Sequence, residues 1–107
     1  MKKLLVNPGI CGFKTLVEAS ADKETGDVTV KVASGCPAVQ KMMDEVGDTF
    51  DSYALCLTPP GAGPLYEYAA AHFPAHAACP VISGIINCAE AESVLALPAE
   101  VSFTFQE

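Results

Sequence analysis

Two alternating runs separated by a short polar turn constrain this chain more than any other feature. In residues 13–21, Phe13, Thr15, Val17 and Ala19 share one face, and Lys14, Leu16, Glu18 and Ser20 share the other. In residues 28–34, Val28, Val30 and Val32 alternate with Thr29 and Lys31. A period of two marks strands with one buried side. The intervening Asp22-Lys23-Glu24-Thr25-Gly26-Asp27 has the composition of a turn, so the pair reads as a β-hairpin. With the turn centred near Glu24 and Thr25, Phe13 falls opposite Cys36. Cys11 and Cys36 then emerge together at the hairpin's open end.

A second constraint is a repeated device, a cysteine followed by a proline and an apolar helical pattern. It occurs at Ser34-Gly35-Cys36-Pro37-Ala38-Val39 and at Ala77-Ala78-Cys79-Pro80-Val81-Ile82. Proline suits the first helical position, where its missing N–H has no partner to lose. A cysteine just before it meets unpaired N–H groups and the positive end of the helix dipole. That setting favours the thiolate.

The first such helix spans 37–47, with Val39, Met42, Met43 and Val46 on one face and Gly47 closing it. A second runs over 64–73, from Pro64 to the stop at Pro74, and the longest over 80–97, with Val81, Ile82, Ile85, Ile86, Ala89, Val94 and Leu95 apolar. Gly84 weakens that helix by about 1 kcal/mol relative to alanine, which fits a place where another backbone packs. Residues 1–12 read as a turn-rich lead-in, 48–57 as a short helix or irregular packed segment, and 58–64 as a Pro/Gly loop. Val101, Phe103 and Phe105 alternate with Ser102, Thr104 and Gln106, the pattern of a last strand.

Strands with one buried face and helices to cover it make a single α+β domain, a two-layer sandwich. The expected sheet is antiparallel and three-stranded, in order 3-1-2, with the 101–105 strand beside the 13–21 strand and the helices on one face. This topology carries Cys11, Cys36 and Cys79 to one end of the sheet. His76, separated from Cys79 by two residues as in zinc sites, is the nearest fourth partner. Cys88 is a less favoured candidate. In an unbroken helix it lies about half a revolution and ~13 Å along the axis from Cys79, and it reads as core, as does Cys56.

Three thiolates with a fourth ligand suit zinc or an iron–sulfur cluster. The leading expectation is a small cytoplasmic metal-binding protein with this thiolate site. One alternative is a thiol redox protein using Cys36 or Cys79 as a low-pKa nucleophile. The other is a metal-free interaction module with buried cysteines, whose protein partner or second copy docks on the 58–64 loop and on Tyr66 and Tyr68.

Composition narrows the classes further. A chain of 107 residues that is 50% hydrophobic and 18% charged fills one core. Its formal net charge of −7 argues against nucleic acid and against an anionic membrane surface. No stretch approaches the ~20 apolar residues of a membrane span. The start Met1-Lys2-Lys3-Leu4-Leu5-Val6 resembles an export signal, but its apolar run stops at Asn7-Pro8-Gly9, short of the roughly 7–15 residues such a signal needs. A cytoplasmic place is therefore expected. There the five cysteines are more often ligands, redox groups or core residues than disulfides. Phosphate loops, nucleotide fingerprints and Ser-His-Asp sets are absent from the sequence.

The order Gly9-Ile10-Cys11-Gly12-Phe13, Cys36-Pro37, Ala78-Cys79-Pro80-Val81 and Leu95-Ala96-Leu97-Pro98 resembles a family of small uncharacterised prokaryotic proteins, over nearly the whole chain. That resemblance implies no activity and no catalytic residues. The Cys36-Pro37 turn is also similar to cysteine-containing modules of iron–sulfur scaffold type.

Overall fold

The computed structural model describes residues 1–106. The hairpin is present as β2 (Thr15–Ala21) and β3 (Asp27–Ser34). Thr15 pairs with Ser34, Val17 with Val32 and Ala19 with Val30. That register, continued outward, sets Phe13 opposite Cys36 as the sequence predicts. The Asp22 carboxylate accepts the Glu24 N–H at 2.9 Å, and Gly26 takes φ +80°. Glycine reaches that left-handed region without Cβ strain. Val17, Ala19, Val28 and Val30 are fully buried, so the alternation does mark the core face.

The sheet differs from the expected three strands in order 3-1-2. Among the described residues it has four strands in the order β1-β2-β3-β4. The place beside β2 belongs to β1 (Lys2–Val6), with Leu4 opposite Val17 and Val6 opposite Thr15. Leu4-Leu5-Val6 is a continuous apolar triplet, so it carries no period-two signal, yet it folds with Val6 buried and Leu5 exposed. At the far edge, β4 (Thr49–Asp51) pairs with the first three residues of β3. Three residues are too few to show a period. Residues 101–105, expected as the last strand, have no strand partner among the described residues.

Among the described residues, four helices cover one face. α1 (Pro37–Val46) buries Val39, Met42 and Met43. α2 (Ser52–Cys56) opens on Asp51, whose carboxylate caps the Ala54 N–H at 3.0 Å. α3 spans Pro64–His72 and α4 spans Val81–Glu92. Val17, Val30, Met42, Leu55, Leu65 and Ile85 meet in one cluster drawn from both layers, which confirms an α+β two-layer arrangement.

The longest helix is shorter than the expected 80–97. It closes after Glu92 because Val94 turns left-handed, with φ +60°. The Leu95 N–H then bonds the Glu90 carbonyl at 2.9 Å, and the Val94 N–H bonds the Ala91 carbonyl at 3.3 Å. This is a Schellman closure. α4 descends along β1 and β2. Its start lies over Val6, because a Cβ added at Gly84 would stand 2.5 Å from Val6 Cγ2. Lower down, Cys88 Sγ lies 3.5 Å from the Lys2 carbonyl. At the bottom, the Glu92 carboxylate accepts the Ala21 N–H at 3.1 Å.

Candidate functional site

The open end of the hairpin is held by a small polar latch. Buried Thr15 shares a 2.7 Å hydroxyl hydrogen bond with Ser34. Ser34 Oγ accepts the Cys36 N–H at 3.1 Å, and Gln40 Oε1 accepts the Ser34 N–H at 3.2 Å. Gly35 donates its N–H to the Lys14 carbonyl at 3.1 Å. These bonds satisfy polar groups where β3 leaves the sheet, and they fix Cys36 as the N-cap of α1. Pro37 follows at the first helical position, as the sequence predicts. The half-buried Cys36 side chain makes no capping hydrogen bond.

Cys11 lies in the connection between β1 and β2, at the same end. Gly9 to Gly12 form a turn closed by a 3.0 Å backbone hydrogen bond. Ile10 and Cys11 occupy its tip, and both are exposed. Cys79 is half-buried and ends a second turn, in which its N–H bonds the His76 carbonyl at 3.0 Å. Exposed His76 holds a left-handed φ of +76° there. Pro80, expected at the first helical position, is instead the N-cap of α4. Cys79 is thus one place further from the helix than Cys36 is from α1.

Cys11, Cys36 and Cys79 therefore occupy the β1–β2, β3–α1 and α3–α4 connections, at one end of the sheet. Sharing an end is not the same as forming a ligand shell. Among the described residues, no three His, Cys, Asp or Glu side chains are grouped so that they could hold one metal ion.

The other two cysteines belong to the interior. Cys88 is buried against the sheet. Its burial, with a contribution from the Glu92 charge, pushes the thiol pKa up against a lowering hydrogen bond from the Ala19 backbone. Cys56 borders a cavity of about 160 Å³ whose lining also includes Leu55, Tyr66, Ser83 and Ile86. Burial first, and then the Glu90 carboxylate, push its thiol pKa to about 11. At neutral pH such groups stay protonated and act as small apolar residues.

Sequence reasoning missed a different surface. The helices cover one face of the sheet and leave the other bare. On the bare face Leu5 pairs with Leu16, and Leu16 with Ala33. Leu5 is 60% and Leu16 42% exposed. The row beside it is charged, with Lys3 Nζ 3.7 Å from Glu18 Oε1 and Lys31 paired with Glu18 across the strands. Ile10 and Phe13 add exposed apolar area at the same end. The available signal was phase, because Leu5 and Leu16 fall out of step with the inward sets Leu4/Val6 and Thr15/Val17/Ala19. Tyr66 and Tyr68, expected on a docking face, are partly buried against the core, with the Tyr68 ring stacked on His72 at 4.1 Å.

A family model matches residues 2–105, nearly the whole chain. The chain belongs to DUF6951, a family of unknown function. No curated protein and no solved structure matches it. The DUF6951 chain thus presents two candidate surfaces, a cysteine-bearing sheet end and a bare sheet face with exposed leucines. Among the described residues, no helix is long and apolar enough to cross a membrane.

Proposed function

We propose that this chain is a protein-interaction module that docks through its bare sheet face. The supporting observation is the Leu5–Leu16–Ala33 row, uncovered beside a fully packed helical layer. Scattered apolar residues on a surface need no explanation, whereas contiguous ones mark contact sites. On this reading Cys56 and Cys88 are packing residues, and the latch at Ser34 braces the end of the sheet. The test pairs light-scattering mass with binding of the apolar dye anilinonaphthalene sulfonate. The reading expects either a mass above one chain or a monomer that binds dye, with dye binding lost in Leu5→Ser/Leu16→Ser. A monomer that binds no dye overturns it.

A second reading is favoured by the placement of Cys11, Cys36 and Cys79 at one sheet end. In it, thiolates from these loops, with His76 as a fourth partner, take zinc or an iron–sulfur cluster after the loops draw together. Without metal, Cys36 or Cys79 would act as a redox thiol. Metal and sulfide analysis of protein purified without oxygen tests the first form. It expects bound metal that is lost in Cys36→Ala and Cys79→Ala. Metal-free protein, or metal content unchanged in both variants, rejects it.

A further inference from the structure

Residues 101–105 have a strand's sequence and no strand's place. Val101, Phe103 and Phe105 alternate with polar residues, and Phe103 and Phe105 are 90% and 102% exposed. The position beside β2 that would suit them is taken by β1. Two outer edges have no partner among the described residues, those of β1 and β4, and β1 is the longer, with five residues against three. An unpaired edge presents a row of N–H and C=O groups ready to accept a strand. The two pieces also match in length, since β1 has five residues and the alternating run covers five.

We infer that residues 101–105 of one copy of this chain add as a strand to the β1 edge of a second copy, reciprocally, forming a dimer. The inference rests on the interaction-module reading and names its partner. Main-chain hydrogen bonds supply the pairing, and alternate side chains supply the contact. The bare face is where that contact is needed. Leu4 and Val6 already pack among the helices, whereas Leu5 and Leu16 are uncovered. With Val101 set beside Lys3 on that face, Phe103 stands beside Leu5 and extends the row Leu5–Leu16–Ala33 outward by one strand.

Charge and area agree with this pairing. β1 carries Lys2 and Lys3, two of the chain's six basic residues, and Glu100 stands directly before the added segment. Edge lysines discourage two β1 strands from pairing with each other, while an acidic-led segment is accepted. With the strands parallel, Glu100 comes beside these lysines. A reciprocal exchange covers four phenylalanines at about 150–250 Å² each. Together with the leucines they cover, this approaches the roughly 1,200–2,000 Å² of a stable interface.

The test is sedimentation of the full chain over a hundredfold range of concentration. It compares the unaltered protein with Phe103→Ser/Phe105→Ser and with Phe103→Pro, which removes a ladder donor. None of these positions contributes to the core, so melting of the isolated monomer should not change. The expected result is a dimer for the unaltered chain and monomers for both variants, with dimer affinity weakened roughly a hundredfold or more. In a mixed sample of isotope-labelled and unlabelled chains, nuclear Overhauser contacts should join residues 101–105 of one copy to β1 of the other. A dimer that persists in both variants overturns the inference, since the contact then lies elsewhere. A monomer at every concentration also overturns it. If that monomer binds the apolar dye, the interaction-module reading survives with another partner, and if it does not, both fail.

Discussion

Gly84→Ala sets helix propensity against packing. In an exposed helix interior, alanine gains about 1 kcal/mol over glycine. Here the new Cβ would stand 2.5 Å from Val6 Cγ2 and 3.7 Å from Leu4 Cδ2. Val6 is buried in the sheet and stiff at χ1, so its methyl cannot swing away freely. Overpacking of this kind costs about 1–3 kcal/mol. The net expectation is destabilisation of about 1 kcal/mol, seen as a fall in Tm of about 4–8 °C for a domain of this size. The decisive comparison is the same substitution beside Val6→Ala. Val6→Ala alone costs roughly 1–2.5 kcal/mol. In its background the clash is gone, and Gly84→Ala should stabilise by up to about 1 kcal/mol. Urea unfolding of the four proteins, all carrying Phe103→Ser/Phe105→Ser and held at one concentration, measures the coupling. A gain from Gly84→Ala beside intact Val6 refutes the close approach of α4 to β1.

Other outcomes follow from single groups. Val94→Gly should stabilise by about 1 kcal/mol in thermal unfolding, because a β-branched residue at φ +60° is strained where a helix-closing glycine is not. Thr15→Val should destabilise by about 1 kcal/mol, since it takes from buried Thr15 the 2.7 Å hydrogen bond to Ser34. Ultraviolet titration of thiolates should find Cys56 ionising near pH 11. Its folded pKa lies above that of an unfolded cysteine, so its contribution to stability is complete at neutral pH and is lost as pH rises from about 9 toward 11. Burial raises the Glu92 pKa, but the Ala21 N–H and the amino groups of Met1 and Lys2 outweigh it and leave a net lowering. Glu92 therefore stabilises above the ordinary carboxyl range and loses this as pH falls through its folded value. Unfolding of Glu92→Gln across acidic pH should show a weaker acid dependence than the parent.

The parts of the fold that were legible in the sequence are those with a strong local period. The 13–21 and 28–34 alternation predicted the hairpin register, and Val39, Met42 and Met43 predicted the buried face of α1. The Cys36-Pro37 cap followed from the proline that opens α1. What was not legible depended on distant partners. Leu4-Leu5-Val6 has no period and becomes a strand only through the β2 edge on one side and α4 above it. Thr49–Asp51 is too short to show a pattern, and it forms because Phe50 finds Val28. The end of α4 was overrun because Val94 and Leu95 continue the apolar pattern, while the left-handed turn at Val94 ends the helix.

The misplaced last strand follows from the same limit. Alternation at 101–105 reports a strand with one buried side, and says nothing about which strand it pairs with. The place beside β2 belongs to residues 2–6, and contacts far along the chain hold them there. Gly84 leaves a notch that Val6 fills, Cys88 reaches the Lys2 carbonyl, and Leu4 and Val6 complete the layer beneath α4. Residues 101–105 bring two phenylalanines and a valine, whose bulk on the inward side would meet a helix already seated close to the sheet. The notch at Gly84 thus suits residues 2–6 for the inner position, and residues 101–105 stand outside the sheet among the described residues.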